Sequence, residues 1–327
     1  MLRYLLVFSL VGCGNPQDSF LKEPMNALND PNRIPGSISA LEYEFSKLPS
    51  EGKVERLWTG WWWPMSQKGT ASRKFGSKSP MEKYDIAANT GGVAQAWEIE
   101  ASRPYANIGW AGHCNGLASA GIMAEEPTRA ATYNGVTFEI EDVKALLTEK
   151  WQGSGYIVGD RCDLKVVTYD QYGRIKETEC RDLNPGTFHI ALTNYLGLFG
   201  KALITDIDNS EAVWNYPVSS FKVLSTQSMT NDEAIWRVQK ESSTVYSYNP
   251  NAVDFVYVKN SVTFLGFDPR TYEYILELDL NGKILGGEWL EKSKKDHPDF
   301  IWRPSDPQAD NPHLDFQIID SIYKQSI

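Results

Sequence analysis

The residues of this chain best suited to chemistry centre on Cys114, in the run Gly112-His113-Cys114-Asn115-Gly116. Asn107 to His113 has loop character, with Gly109 and Gly112 on either side of Trp110. From Asn115 onward, Leu117, Ala118, Ala120, Gly121, Ile122 and Met123 follow a helical pattern that ends before Pro127. This places Cys114 at a helix N-terminus. There the helix dipole and the free backbone N–H groups favour a thiolate and can donate to a developing oxyanion. The small residues Gly116, Ala118, Ser119, Ala120 and Gly121 predict a helix packed closely against a sheet.

A thiol nucleophile needs a general base, itself held by a third group. The chain has four histidines: His113, His189, His297 and His313. His113 is adjacent in sequence, but neighbouring side chains at a helix start diverge, so it is read as structural. His189 lies in Thr187 to Thr193, read as a strand with Phe188, Ile190 and Leu192 on one face and His189, Ala191 and Thr193 on the other. Its small neighbours make it the chosen base. The acid comes from the next apolar run, Ala202 to Asp208. Asp206 and Asp208 share one strand face, so periodicity does not choose between them. Asp206 is favoured as the more shielded imidazole partner, and Asp208, beside the turn Asn209-Ser210-Glu211, is the alternative. Asp206, Asp208 and Glu211 also offer oxygen ligands for calcium but lack the EF-hand spacing, and no residue is assigned as a metal ligand.

The four cysteines divide by context. Met1-Leu2-Arg3 is a cationic start, Tyr4 to Leu10 is an apolar run too short to span a bilayer, and Leu10-Val11-Gly12-Cys13 resembles the lipobox of bacterial lipoproteins. The expectation is cleavage before Cys13 and lipidation of its thiol, leaving a lipid-anchored protein of the bacterial cell envelope. Leu164 to Tyr169 and Arg174 to Thr178 read as a hairpin about Asp170-Gln171-Tyr172-Gly173, which brings Cys162 and Cys180 face to face. A disulfide there would stabilise the fold by roughly 3 kcal/mol. Cys114 is then the odd thiol of an exported protein, the position in which a reactive cysteine is looked for.

Length and composition set the frame. A chain of 327 residues with 42% hydrophobic and 23% charged residues can bury a large core. A net charge of -10 argues against a nucleic-acid partner, which requires a basic face. The expected division is a signal peptide over 1–12, a polar tether over 13–40, a catalytic core over 41–240, and a β-rich portion over 241–327 that is either separate or integral to the core. Strands are expected over Val253 to Val258 and Val262 to Leu265. A hairpin follows, Tyr272 to Leu278 with Lys283 to Trp289 about an Asn281-Gly282 turn. Val136 to Ile140 reads as a strand and Glu141 to Trp151 as an amphipathic helix. The fold class expected is α+β.

Several separated blocks carry a resemblance to the transglutaminase elicitor family of cysteine acyltransferases. Trp58-Thr59-Gly60-Trp61-Trp62-Trp63-Pro64 with Ser79 to Asp85 resembles its opening block, and Gly112 to Gly116 its nucleophile block. Asn184-Pro185-Gly186-Thr187-Phe188-His189 resembles the histidine block, Val213 to Val218 the stretch after the acid, and Gly286 to Trp289 with His297 to Trp302 the C-terminal block. The resemblance implies a papain-like or transglutaminase-like core on an antiparallel sheet. It implies Cys114 as nucleophile, His189 as base and Asp206 as orienter, with an indole N–H beside the oxyanion, for which Trp63 and Trp110 are the candidates. The activity implied is transfer of the acyl group of a protein or peptide glutamine to a primary amine, by a monomer that requires no cofactor or is assisted by calcium. The same triad with water as acceptor would make a peptidase, deamidase or amidase. A third reading is a non-catalytic binder of peptide or glycan through the Trp-rich surface, and it predicts that the three triad residues are apart.

Overall fold

The computed structural model describes residues 27 to 327 except positions 154, 162–163, 165, 170–174, 178–179, 181, 208–210 and 241–244. Its strands are β1 (Glu51–Lys53), β2 (Ala131–Tyr133), β3 (Val136–Phe138), β4 (Tyr156–Gly159), β5 (Leu203–Asp206), β6 (Asn215–Met229), β7 (Asp254–Phe264), β8 (Arg270–Leu278), β9 (Ile284–Trp289) and β10 (Phe300–Arg303). The α-helices are α1 (Pro80–Ala88), α2 (Val93–Ser102), α3 (Cys114–Met123), α4 (Ile140–Lys150), α5 (Pro185–Ala191), α6 (Asn231–Gln239) and α7 (Phe316–Tyr323). Among the described residues, eight strands form one antiparallel sheet in the order β4-β10-β5-β6-β7-β8-β9, with β1 also paired to β6; β2 and β3 form a separate hairpin. Both expected segments within 253–265 belong to the single strand β7, and the strands beyond residue 240 extend the same sheet that contains β5 and β6.

Successive strand residues point to opposite faces, so one strand can report on both sides of the sheet. Leu203 packs with Phe188 and Ile190 of α5, whereas the next residue, Ile204, packs with Ala118 of α3. β10 repeats this pattern, with Ile301 on the α5 side and Phe300 and Trp302 on the α3 side. Helices α3 and α5 therefore cover opposite faces. Beyond α3 lies a helical layer in which Leu117 meets Met81, Tyr84, Leu146, Leu147, Ile319 and Ile322 of α1, α4 and α7. The small residues of α3 permit this close double contact: a Cβ on Gly116 would collide with the Thr148 carbonyl of α4, and one on Gly121 with the Trp58 carbonyl.

Three local expectations are revised. The segment containing His189 is helical: Asn184 caps α5 by accepting from Gly186 N at 2.8 Å, and Pro185 occupies its first turn. Its alternating apolar residues mimic a strand because every residue of the helix is buried, so no polar face marks the helical period. Secondly, Asn29 to Ile34, which composition assigns to a tether, is packed down. Ile34 is in the core of the α5 face, and Asn29 donates to the Asp182 carbonyl and accepts from Asn184 N. Thirdly, the hairpin expected over 164–178 is reduced in the described residues to a bridge between Tyr169 and Ile175, with Lys176 N donating to Thr168 O. Cys180 is buried and is not a free thiol; Cys162 and residues 1–26, Cys13 among them, lie outside the described residues.

Candidate active site

Cys114 is the first residue of α3 and His113 its N-cap, as the loop-to-helix pattern requires. The loop that delivers it is held from behind by the Trp-rich segment. His113 N donates to Trp62 O at 2.9 Å and Met65 N to Ala111 O at 2.9 Å. Cys114 is the free cysteine among the described residues, and it is buried. Its Sγ–H donates to the Val213 carbonyl at 3.7 Å, and Asn215 Nδ2 donates to Sγ at 3.8 Å. The orientation of that amide is set by Trp302, whose Nε1–H donates to Asn215 Oδ1 at 2.8 Å. Burial pushes the Cys114 thiol above the ordinary thiol range. The backbone N–H and side chain of Asn215, with the N–H of Asn115, oppose this, while the charge of Asp206 adds to the rise.

Asp206 ends β5, directly opposite Asn215 on β6. By strand alternation it shares the face of Ile204, the face that α3 covers. It is fully buried, and its Oδ1 accepts from Trp214 N at 2.8 Å. It also belongs to a wider group of carboxylates. Asp182 is pushed up to about 8 by burial, with the charges of Asp160 and Asp206 reinforcing the shift. Asp208 lies outside the described residues. Of the calcium ligands considered, Glu211 is described; its carbonyl accepts from Arg161 at 3.3 Å.

A cavity of about 330 Å³ opens beside the thiol, and Trp110, Gln152, Arg161, Asn215 and Trp302 line it with Cys114. The Arg161 guanidinium lies over the Trp110 ring, 5.4 Å from its centroid. Of the two indoles considered for the oxyanion, Trp110 lines this cavity. Trp63 does not: it is buried and packs edge-on against Phe75 at 5.7 Å.

The imidazoles are elsewhere. His189 is carried by α5 on the far face of the sheet, where its Nδ1 shares a 2.8 Å hydrogen bond with the Tyr274 hydroxyl. Phe45 and Tyr274 pack on its ring, and burial pushes its pKa down to about 3. The structure thus brings Cys114 and Asp206 to one face and leaves His189 on the other. His297 is buried against Trp289, donates from Nδ1 to Ser293 O at 2.8 Å, and is pushed down by burial to about 4. His313 is exposed. His113 turns away from the thiol into a buried pocket, with Nε2 2.7 Å from Glu98 Oε1 and 3.6 Å from Glu149 Oε1. Burial disfavours its charge, but the two glutamates overcome this and raise it to about 10, while burial, with the neighbouring Glu98 charge, raises Glu149 to about 7.

Sequence reading did not single out Asn215, Val213 or Trp302 as neighbours of the thiol. Asn215 and Trp302 fall inside blocks that carry the family resemblance, but a polar residue next to a strand and a tryptophan in an apolar run read equally well as core. The Asn184-Pro185 start of α5 was a usable helix signal.

With this geometry in place, comparison with known proteins gives a consistent result. A family model described as transglutaminase elicitor matches residues 85–316. The fold is similar to the crystal structure of the GP42 transglutaminase from Phytophthora sojae, with a TM-score of 0.70 and 25% sequence identity over 88% of this chain and 94% of that one. None of the curated proteins compared matches the chain.

Proposed function

We propose, on the premise that this chain belongs to the transglutaminase elicitor family, that it is a cysteine acyltransferase acting on glutamine side chains. The observation that carries the reading is a free thiol at a helix N-terminus, opening on a cavity and surrounded by N–H donors from Asn115 and Asn215. A helix-borne nucleophile on an antiparallel sheet also supports grouping this fold with papain-like and transglutaminase-like cores. In the first half-reaction the Cys114 proton passes to Asp206, the carboxylate whose charge acts on the thiol, and Sγ bonds to the carboxamide carbon. The C–N bond then breaks, and ammonia leaves with the proton returned by Asp206. In the second half-reaction a primary amine attacks the thioester and gives a proton to Asp206, the C–N bond forms as the C–S bond breaks, and Asp206 returns that proton to the sulfur to restore the thiol. Backbone N–H groups at the start of α3 and the Trp110 indole are the candidates to receive the oxyanion. His189 is given no part in these steps.

The test incubates the purified protein with a glutamine donor peptide and a labelled primary amine, with and without calcium. Label incorporation that is lost in Cys114→Ala is the expected result. Incorporation that persists in that variant would refute the nucleophile. Ammonia release without label would make the protein a hydrolase, and neither product would favour the peptide or glycan binder. The Cys13 lipobox supports an envelope location by lipid anchoring, tested by labelled palmitate incorporation that disappears in Cys13→Ala. Pairing of Cys162 with Cys180 is tested by peptide mapping without reduction.

A further inference from the structure

Behind the cavity, on the side of α3 away from the sheet, Glu98 of α2, His113 and Glu149 of α4 converge. One ligand atom from each lies within 4.8 Å of the others, and all three residues are buried. The proposed reaction gives this cluster no task. Two fully buried carboxylates cost several kcal/mol each to hold in low dielectric unless their charge is matched. Three acidic side chains converge on a single imidazole here, because the nearby Asp310 is in electrostatic contact with both His113 and Glu98. The hydrogen bonds are also incomplete. Glu98 Oε2 and Glu149 Oε2 have no partner although both are buried, whereas the other side of the His113 ring interacts with the Gln152 side chain. Glu98 Oε1 and Glu149 Oε1 are satisfied by Thr70, through its N–H at 3.2 Å and its hydroxyl at 2.6 Å, so the orphaned oxygens are the second atoms of carboxylates already anchored in place. The chain above makes room for them. Gly69 has φ +53°, and a Cβ there would collide with Glu98 Oε1 and His113 Nε2. A doubly acidic, closed pocket with one imidazole and unpaired carboxylate oxygens has the chemistry of a cation site, and its residue at 113 sits one position before the nucleophile.

We propose that Glu98, His113 and Glu149 bind a single divalent transition-metal ion, with zinc the best match, and that this ion locks the N-terminus of α3. The imidazole nitrogen and the small number of ligands fit zinc, which binds His nitrogen and carboxylate oxygen and completes a three-residue set with a fourth, non-protein ligand. They do not fit calcium, which takes six to eight oxygens. A dication with neutral His113 balances the two buried carboxylates. It ties α2 and α4 to the residue that caps the catalytic helix, so its loss would loosen the start of α3 without removing any group that touches the substrate. The site does not depend on the acyl-transfer reading.

The experiment strips the full-length protein with a chelator and adds back zinc or calcium. After desalting, bound metal is counted by atomic emission. About one zinc per chain is expected in the wild type and in Cys114→Ser, together with a melting temperature raised by roughly 3 °C or more, and calcium should reproduce neither effect. In the double variant Glu98→Gln/Glu149→Gln, zinc retention should fall at least about tenfold while circular dichroism shows an intact fold. Zinc that fails to stay on the wild type overturns the proposal, as does zinc lost in Cys114→Ser. X-ray absorption on the wild type decides the matter should the double variant not fold. A shell of one imidazole nitrogen plus carboxylate oxygens is expected, and a zinc–sulfur distance overturns it.

Discussion

The two faces of the sheet carry two helices that differ in how they begin and in the chemistry they hold. α3 begins with a thiol at its first position, and α5 carries an imidazole in its only full turns. On the α3 face Asn215, Trp302 and Arg161 surround a cavity, and Asp206 is buried behind it on β5. On the α5 face the His189 ring packs against Phe45 and Tyr274, with the Tyr274 hydroxyl as its polar partner. Polar residues are thus concentrated where a substrate can enter, and the imidazole is neutral where none can. Under the proposed function, a histidine is therefore a weaker indicator of the base than the face of the sheet that it occupies.

That contrast is most sharply tested by single substitutions on each face. Cys114→Ala should reduce amine incorporation by at least ~1000-fold, whereas His189→Gln should leave kcat within about threefold while costing stability, measured by urea unfolding. Equal losses from both would restore His189 as a base and mean that the faces communicate. Asp206→Asn should reduce turnover by about 100-fold, within the range for loss of a general acid–base. The same variant should have a faster reaction of Cys114 with iodoacetamide at fixed pH. The sign follows from the charge: Asp206 raises the thiol pKa, so a neutral amide lowers it and increases the thiolate fraction. Slower alkylation would mean that Asp206 assists ionisation by hydrogen bonding rather than opposing it by charge.

Much of the α3 face was legible in the sequence, and much of the α5 face was not. The loop with Gly109 and Gly112 followed by small helical residues located Cys114 at a helix start, because a break in periodicity and a run of small side chains are local signals. Alternation put Asp206 and Asp208 on one strand face without choosing between them, and the greater shielding expected deeper in the strand favoured Asp206. The segment of His189 was read as a strand because a helix buried on all sides loses the polar stripe that separates period 3.6 from period 2. The pairing of Trp302 with Asn215 joins positions 87 apart in the chain, a separation that no local pattern encodes. The Glu98, His113 and Glu149 cluster likewise gathers one residue from each of three segments, with no metal-ligand spacing to announce it.

The α5 face makes its own prediction about pH. Burial lowers the His189 pKa from 6.5 to about 3. The unfolded chain therefore takes up a proton at this site before the folded one does. The stability associated with neutral His189 is fully present above about pH 6.5 and declines as pH falls toward 3. It should decline by about 1.4 kcal/mol per pH unit, so that roughly 2 kcal/mol is lost by pH 5. Urea midpoints at pH 7 and pH 5 measure this loss. His189→Gln should flatten that dependence, and a slope unchanged in the variant would assign the effect to other groups.

The smallest effect expected lies on the α3 face and concerns orientation alone. Trp302→Phe keeps most of the ring that packs with Ala118, Ile204 and Phe300 but removes the N–H that holds Asn215 Oδ1. The amide would then be free to rotate, and on average fewer N–H donors would face the Cys114 sulfur. Turnover should fall by about tenfold, equivalent to ~1.4 kcal/mol, with little change in KM if the amide acts on the thiolate and not on the bound substrate. The thiol pKa, read from the pH dependence of alkylation, should rise, because a donor to the sulfur lowers it. A rise in KM with kcat unchanged would instead identify Trp302 as a wall of the acyl cavity, and the orientation of Asn215 would then be set by its β6 backbone alone.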